Sequence, residues 1–212
     1  MRLYIYEHCP FCLRTRMIAG FKNLPIQYSI IMEGDSETPI HLVGKKVVVP
    51  ILQKSDGQYM TESLDIVKYL DDLSPPYYAQ GEVNTEIEAW IKKNSSLIFR
   101  LIVPRFTQSD FKEISTPEAR QAFIERETAS FGDLKQLYEN SEPDIHAMNT
   151  SLTEIDSLIE HHEEMNITDF MIFPWLRSLS IVEGLIFPSH TKRYMNRIAT
   201  AAKVNLLFDQ AR

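Results

Sequence analysis

The sequence predicts an α/β domain followed by an all-α domain. Three observations carry this. Two cysteines, Cys9 and Cys12, flank Pro10-Phe11 where a short strand meets a helix. A proline, Pro50, ends a run of β-branched residues. Beyond a break rich in proline, tyrosine and glycine at 74–81, apolar residues recur only at helical spacing. Residues 1–73 are therefore read as the α/β domain, 74–81 as a linker and 82–212 as the helical domain.

Leu3-Tyr4-Ile5-Tyr6 reads as a short buried strand. From Pro10 to Phe21 the pattern is helical, and proline suits the first helical position because an N–H there has no intrahelical partner. Asn23 and Pro25 mark the stop. Residues 26–31 form a second strand, and Glu33-Gly34-Asp35-Ser36 turns into a short helix around 39–43. Val47-Val48-Val49-Pro50-Ile51-Leu52 is the third strand, with a proline that a central strand does not ordinarily tolerate. Ser55-Asp56-Gly57 turns the chain into a return strand at Gln58-Tyr59-Met60, and Thr61 or Glu62 opens a helix with Leu64, Ile66, Val67 and Leu70. The first two strands, joined through a helix, form a parallel unit and the last two a hairpin. With a Cys-x-x-Cys at the first strand-to-helix junction, this order is the thioredoxin-like arrangement.

In the second domain Ile87, Trp90, Ile91, Leu97, Ile98, Leu101 and Ile102 stripe one helix. Thr116-Pro117 caps another, read as running through Phe123, Phe131, Leu134 and Tyr138. Leu152, Ile155, Leu158 and Ile159 mark a third. Asn166-Ile167-Thr168-Asp169 has the form of a capping box opening an apolar helix, and a last helix spans about 192–203. Trp90 and Trp175 fall on apolar stripes and read as core. His161-His162-Glu163-Glu164 reads as a solvated helix face and not as a metal site, because adjacent helical residues diverge.

Net charge is −7, from 22 Lys and Arg against 29 Asp and Glu, which argues against a nucleic-acid partner. Residues 1–73 are nearly neutral, so the N-terminal domain is the more tolerant of anions. No uncharged run approaches the roughly 18 apolar residues of a membrane helix. The start of the chain lacks the pattern of a secretory signal, and the two cysteines do not resemble a secreted disulfide scaffold. The expected setting is cytoplasmic, monomeric and away from membranes.

A thiolate, not a thiol, attacks a disulfide. Cys9 precedes a helix, where free N–H groups and the helix dipole favour negative charge. Cys12 stands one turn further in, more shielded, and reads as the resolving thiol. Half a zinc site competes with this reading, but the sequence has no second cysteine pair, and His8 alone does not complete a tetrahedron. An inert buried pair is the other alternative. Val49-Pro50, close to such cysteines, favours a cis bond over a trans proline at a sheet edge. Glu62-Ser63 at a helix start suits an α-amino-carboxylate, the carboxylate at Ser63 and the ammonium at Glu62. Arg14 and Arg16 read equally well as thiolate-supporting cations or as ordinary pairing residues.

Together these elements resemble the glutathione site of glutaredoxins and glutathione-transferase-fold proteins. The helical second domain matches the glutathione-transferase-like architecture. The strings Leu3-Tyr4-Ile5-Tyr6-Glu7-His8-Cys9-Pro10-Phe11-Cys12, Pro50-Ile51-Leu52-Gln53-Lys54, Glu62-Ser63-Leu64-Asp65-Ile66-Val67, Pro104-Arg105-Phe106 and Val204-Asn205-Leu206-Leu207 resemble bacterial type-2 glutaredoxins. The resemblance implies a glutathione-dependent disulfide oxidoreductase with Cys9 as nucleophile and Cys12 as partner. It implies that Val49 and Pro50 hold the cysteinyl part of glutathione, and Glu62 and Ser63 its γ-glutamyl end. Glutathionylated or disulfide-bonded proteins are the implied substrates, with glutathione as co-substrate and no metal. Phe11 stands where that family commonly has tyrosine, and Lys45 or Lys46 is the candidate contact for the glycine carboxylate. Conjugation of glutathione to electrophiles is disfavoured by a cysteine in place of a tyrosine or serine hydroxyl. A non-catalytic binding module is disfavoured because both Cys9 and Pro50 are kept.

Overall fold

The computed structural model describes residues 1–45 and 48–212, so Lys46, a candidate contact for the glycine carboxylate, and Val47, the first residue of the expected third strand, lie outside the described residues. The N-terminal domain runs β1 (Arg2–Ile5), α1 (Pro10–Phe21), β2 (Gln27–Ile30), α2 (Glu37–Val43), β3 (Ile51–Gln53), β4 (Tyr59–Met60) and α3 (Ser63–Asp71). Its sheet has the order β2-β1-β3-β4. β1 pairs parallel with β2, Leu3 beside Tyr28, and antiparallel with β3, Leu3 beside Leu52. β3 and β4 form the hairpin, with Leu52 opposite Met60. The third strand is a correction to the sequence reading. It starts at Ile51, after the proline, and Val48, Val49 and Pro50 approach it without pairing.

Residues of α1 are buried on almost every side, because the helix lies between α3 and the helical domain. It is started by Cys9, whose sulfur accepts the backbone N–H of Cys12, and by Pro10 in the first turn. Its far end touches the helical domain closely enough that Gly20 has no room for a side chain. A Cβ there would stand 1.8 Å from the carbonyl oxygen of Ala202.

The helical domain comprises α4 (Thr85–Phe106), α5 (Pro117–Phe131), α6 (Leu134–Glu139), α7 (Glu142–Ile159), α8 (Ile167–Leu179) and α9 (Ser189–Ala202). A 3-10 turn, Lys112–Ile114, precedes α5. The helix read as continuous through Tyr138 is broken. Gly132 has a φ of 79° and Asp133 caps a new helix by accepting N–H bonds from Lys135 and Gln136. The Asn166–Asp169 capping box opens α8 as expected. His161-His162-Glu163-Glu164 is not helical, and His162 Nε2 lies 3.0 Å from the buried Asp169 carboxylate, so the solvated-face reading fails for His162. Trp90 and Trp175 are core residues. Among the described residues no helix is long and apolar enough to cross a membrane.

Between α3 and α4 the chain is tied down by polar groups. The buried Asp71 carboxylate accepts N–H bonds from Tyr78 and Ala79 at 2.9–3.0 Å. The Lys22 ammonium reaches that carboxylate and the carbonyl oxygens of Asp71, Ser74 and Pro76. Apolar residues of the two domains pack into one continuous core.

Candidate active site

Cys9 and Cys12 are free thiols at the start of α1. Cys9 retains 8% exposure and Cys12 none. Cys9 Sγ accepts the Cys12 N–H at 3.4 Å, and Cys12 Sγ accepts the Tyr6 N–H at 3.5 Å. The Cys12 thiol hydrogen-bonds to Cys9 and lowers its pKa to about 7. The charge on His8 and the backbone N–H groups of Cys12 and Phe11 add to this against the opposing effect of burial. Burial and the adjacent Cys9 push the Cys12 thiol well above its ordinary value. One sulfur is thus poised as a thiolate and the other kept protonated.

Cys9 opens into a cavity of about 340 Å³. The N-terminal domain contributes Tyr6, His8, Pro10, Phe11, Val48 and Val49, and α4 and α5 supply a mostly apolar wall that includes Phe99, Phe106 and Arg126. The Val49–Pro50 bond is cis, as expected. Phe11 is 41% exposed and meets Trp175 edge to face, with their centroids 5.9 Å apart.

Glu62 and Ser63 are not in the lining of this cavity. Glu62 is exposed and carries a φ of 67°, an unusual conformation for a residue with a side chain. It places Ser63, itself buried, at the first position of α3. Arg14 links this point to the cysteine helix. Its Nη1 donates to Ser63 Oγ at 3.2 Å, its Nε donates to the Phe170 carbonyl at 2.9 Å, and its guanidinium lies over the Phe11 ring at 4.9 Å. Burial lowers the Arg14 pKa to about 10, and among the described residues no carboxylate pairs with it. Arg16 instead donates to the Glu7 carbonyl at 3.5 Å. Lys45 is exposed.

Sequence reasoning missed the groups behind Cys9. His8 is buried, and its Nδ1 lies 2.6 Å from Glu113 Oε1 in the 3-10 turn of the helical domain. The same oxygen accepts the His8 backbone N–H at 2.9 Å. Burial opposes charge on His8, yet the hydrogen bond and charge of Glu113 raise its pKa above the ordinary imidazole value. Burial likewise opposes charge on Glu113, but the His8 bond and charge hold it below the usual carboxylate range. Beside them, Glu33 Oε2 meets Arg126 Nη1 at 2.7 Å. A histidine next to the cysteine motif is the available signal in the sequence, where it reads only as an incomplete metal ligand. Among the described residues no group of three or more His, Cys, Asp or Glu is placed to hold a metal ion.

Comparison with known proteins follows the same division of the chain. Residues 86–211 match the family model of the glutaredoxin 2 C-terminal domain, and residues 3–78 that of the glutathione S-transferase N-terminal domain. Glutaredoxin 2 of Escherichia coli (strain K12) is 40% identical over 215 residues, covering all of both chains. The crystal structure of glutaredoxin 2 from Salmonella typhimurium in complex with glutathione superposes with a TM-score of 0.95 at 39% identity. That match covers 100% of this chain and 98% of the other. Glutathione transferase GSTFuA2 from Phanerochaete chrysosporium shares the fold, with a TM-score of 0.74 at 14% identity, covering 96% of this chain and 98% of that one.

Proposed function

The chain belongs to the glutaredoxin 2 family, and we propose that it is a glutathione-dependent thiol–disulfide oxidoreductase in which Cys9 attacks and Cys12 resolves. The observation that carries this reading is Cys9 itself, a free thiol at a helix start, open to a cavity and titrating at about 7 beside a sealed, protonated partner. Cys9 attacks the glutathione sulfur of a protein–glutathione mixed disulfide and the protein thiol departs. Glutathione then attacks the Cys9 mixed disulfide and leaves as oxidised glutathione. On a disulfide-bonded protein, Cys12 closes an intramolecular bond that two glutathiones reopen.

Val49 and Pro50 hold the cysteinyl part of glutathione in this reading, and Glu62 and Ser63 its γ-glutamyl end. Support comes from Val49 sharing the cavity of Cys9, and from Arg14 beside Ser63, a buried cation to which an incoming carboxylate brings the missing counter-charge. The relative crystallised with glutathione supports the choice of co-substrate. The domain limits proposed are 1–73, a linker at 74–81, and 82–212. The gap between the two family-model matches, 3–78 and 86–211, supports a connecting stretch there. The substrates proposed are glutathionylated and disulfide-bonded proteins of the cytoplasm, reduced by a monomer. The test is glutathione-dependent reduction of a glutathionylated protein by the full chain. Cys9→Ser is expected to fall to background with its circular dichroism unchanged, and full activity in that variant would overturn the assignment. Faster conjugation of an electrophile than mixed-disulfide reduction would favour the transferase reading instead.

A further inference from the structure

Disulfide exchange moves a proton from glutathione to the departing thiol, and the structure provides a group to carry it. The His8 ring is held in an aromatic box. It stacks on Tyr6 at 5.6 Å, and Phe106, Phe111 and Phe123 meet it at 5.3, 5.8 and 5.1 Å. Inside that box its Nδ1 has one partner, the Glu113 carboxylate, which is wholly buried and whose Oε2 has no hydrogen-bond partner among the described residues. A carboxylate sealed from water, whose one side-chain partner among the described residues is an imidazole, favours charge on that imidazole. The Nδ1 bond fixes the tautomer and turns Nε2 to the opposite side of the ring. Nε2 has no partner among the described residues, and His8 lines the same cavity as Cys9, its neighbour in sequence.

We propose that His8, oriented by Glu113, holds the proton given up by Cys9 and passes it to the thiol that departs from the substrate. This rests on Cys9 being the nucleophile. In the resting protein Cys9 is a thiolate and His8 an imidazolium. When the Cys9 sulfur bonds to the glutathione sulfur, the bond to the protein sulfur breaks and its electron pair stays with that sulfur. The departing sulfur takes the His8 proton and leaves as a neutral thiol. An incoming glutathione then gives its thiol proton to His8 as its sulfur attacks. Cys9 is released as thiolate, and oxidised glutathione carries the new bond. The proton of glutathione thus ends on the substrate thiol, and no further reductant is needed. A carboxylate that orients a base beside a nucleophile is a general catalytic arrangement, here assembled from both domains.

The charged and titratable groups around the imidazole are Tyr6 just after β1, Cys9 at the cap of α1 and Cys12 within it, and Glu33 after β2 with its partner Arg126 from α5. Glu113 comes from the 3-10 turn, with Glu7, Lys112 and Arg177 beyond it. Arg126 answers Glu33, which leaves the Glu113 charge to His8.

The experiment titrates Cys9 by its thiolate absorbance in the full chain carrying Cys12→Ser, where it is the sole thiol. His8→Gln or Glu113→Gln added to that chain should raise the Cys9 titration by about one pH unit and slow iodoacetamide alkylation at about pH 6 roughly tenfold, with recovery at alkaline pH. An unchanged titration in a folded His8→Gln protein overturns the proposal. If His8→Gln does not fold, nitrogen NMR of the His8 ring in the wild type decides. An imidazolium that persists while Cys9 is a thiolate supports the relay, and a neutral ring at that stage refutes it. Both readouts concern Cys9 before any turnover, so they stay separate from the activity of Cys9→Ser.

Discussion

Gly20→Ala is expected to weaken the seam between the domains, and the structure sets the size of the effect. Two opposing terms decide it. Alanine in a helix interior is favoured over glycine by about 1 kcal/mol, which stabilises α1. Against that, the new Cβ would stand 1.8 Å from the Ala202 oxygen, 2.5 Å from its carbonyl carbon and 3.1 Å from its Cα. These are backbone atoms near the end of α9, so no rotamer change relieves the contact. Restoring an ordinary separation requires α1 and α9 to part by more than about 1 Å, and a gap of that size forfeits a quarter to a half of each dispersion contact along the seam. Overpacking of this kind costs about 3 kcal/mol, the upper end of its usual range. The net loss is then about 2 kcal/mol, or a fall of roughly 4–8 °C in Tm for a chain of this size. Thermal unfolding followed by circular dichroism measures it. A Tm within about 1 °C of wild type would show that the close approach of α1 and α9 is not a constraint on the fold.

Cys12→Ser should keep most of the reduction of protein–glutathione mixed disulfides and lose much of the reduction of protein disulfides. A serine hydroxyl still donates to Cys9 but closes no intramolecular bond, and steady-state rates on the two substrate types test this. Asp71→Ala removes a buried carboxylate that accepts the Tyr78 and Ala79 N–H groups and the Lys22 ammonium. The expected cost is about 2–4 kcal/mol, with faster proteolytic cleavage within 74–81. The His8–Glu113 pair should give stability a pH window. The Glu113 pKa is lowered by folding, so its contribution is complete above the ordinary carboxylate value of about 4.5 and is lost as pH falls through the lower folded value. The His8 pKa is raised, so its contribution is complete below about 6.5 and is lost as pH rises through the higher folded value. The stability difference between wild type and Glu113→Gln, measured in denaturant, should therefore be largest between about pH 4.5 and 6.5 and narrow on either side.

What the sequence revealed was what neighbouring residues decide. Pro10 after Cys9, Thr116 before Pro117, and Asn166 with Asp169 are helix starts written within four residues, and all three form. The start of β3 was misplaced because Val48 and Val49 have strand-forming side chains, whereas pairing with β1 begins only at Ile51. The α5–α6 break is written in Gly132-Asp133 but masked by the apolar spacing, which continues across it. Glu113 was beyond reach for another reason. It lies 105 residues from His8, and nothing near either residue announces the pair. Arg14 was beyond reach in the same way: it donates to the Ser63 hydroxyl across 49 residues, a contact that leaves that hydroxyl's own hydrogen free to donate.

The short loop ahead of Cys9 is gripped from the far side of the molecule. Arg177 donates to the Glu7 carbonyl at 3.2 Å, the Lys112 N–H meets the Glu7 carboxylate at 3.0 Å, and Glu113 accepts the His8 N–H. A hinge that swung the two domains apart would strip all three bonds from the residues next to the nucleophile. Wide opening would therefore cost Cys9 the support of its neighbouring residues, which disfavours admitting a bulky client by domain motion. On the proposed function, a client protein is expected to do the bending itself, threading a few locally unfolded residues into the cleft. Turnover should thus follow how readily a client's own chain loosens around its modified cysteine, so that flexible surface loops are served quickly and cysteines locked in rigid strands slowly.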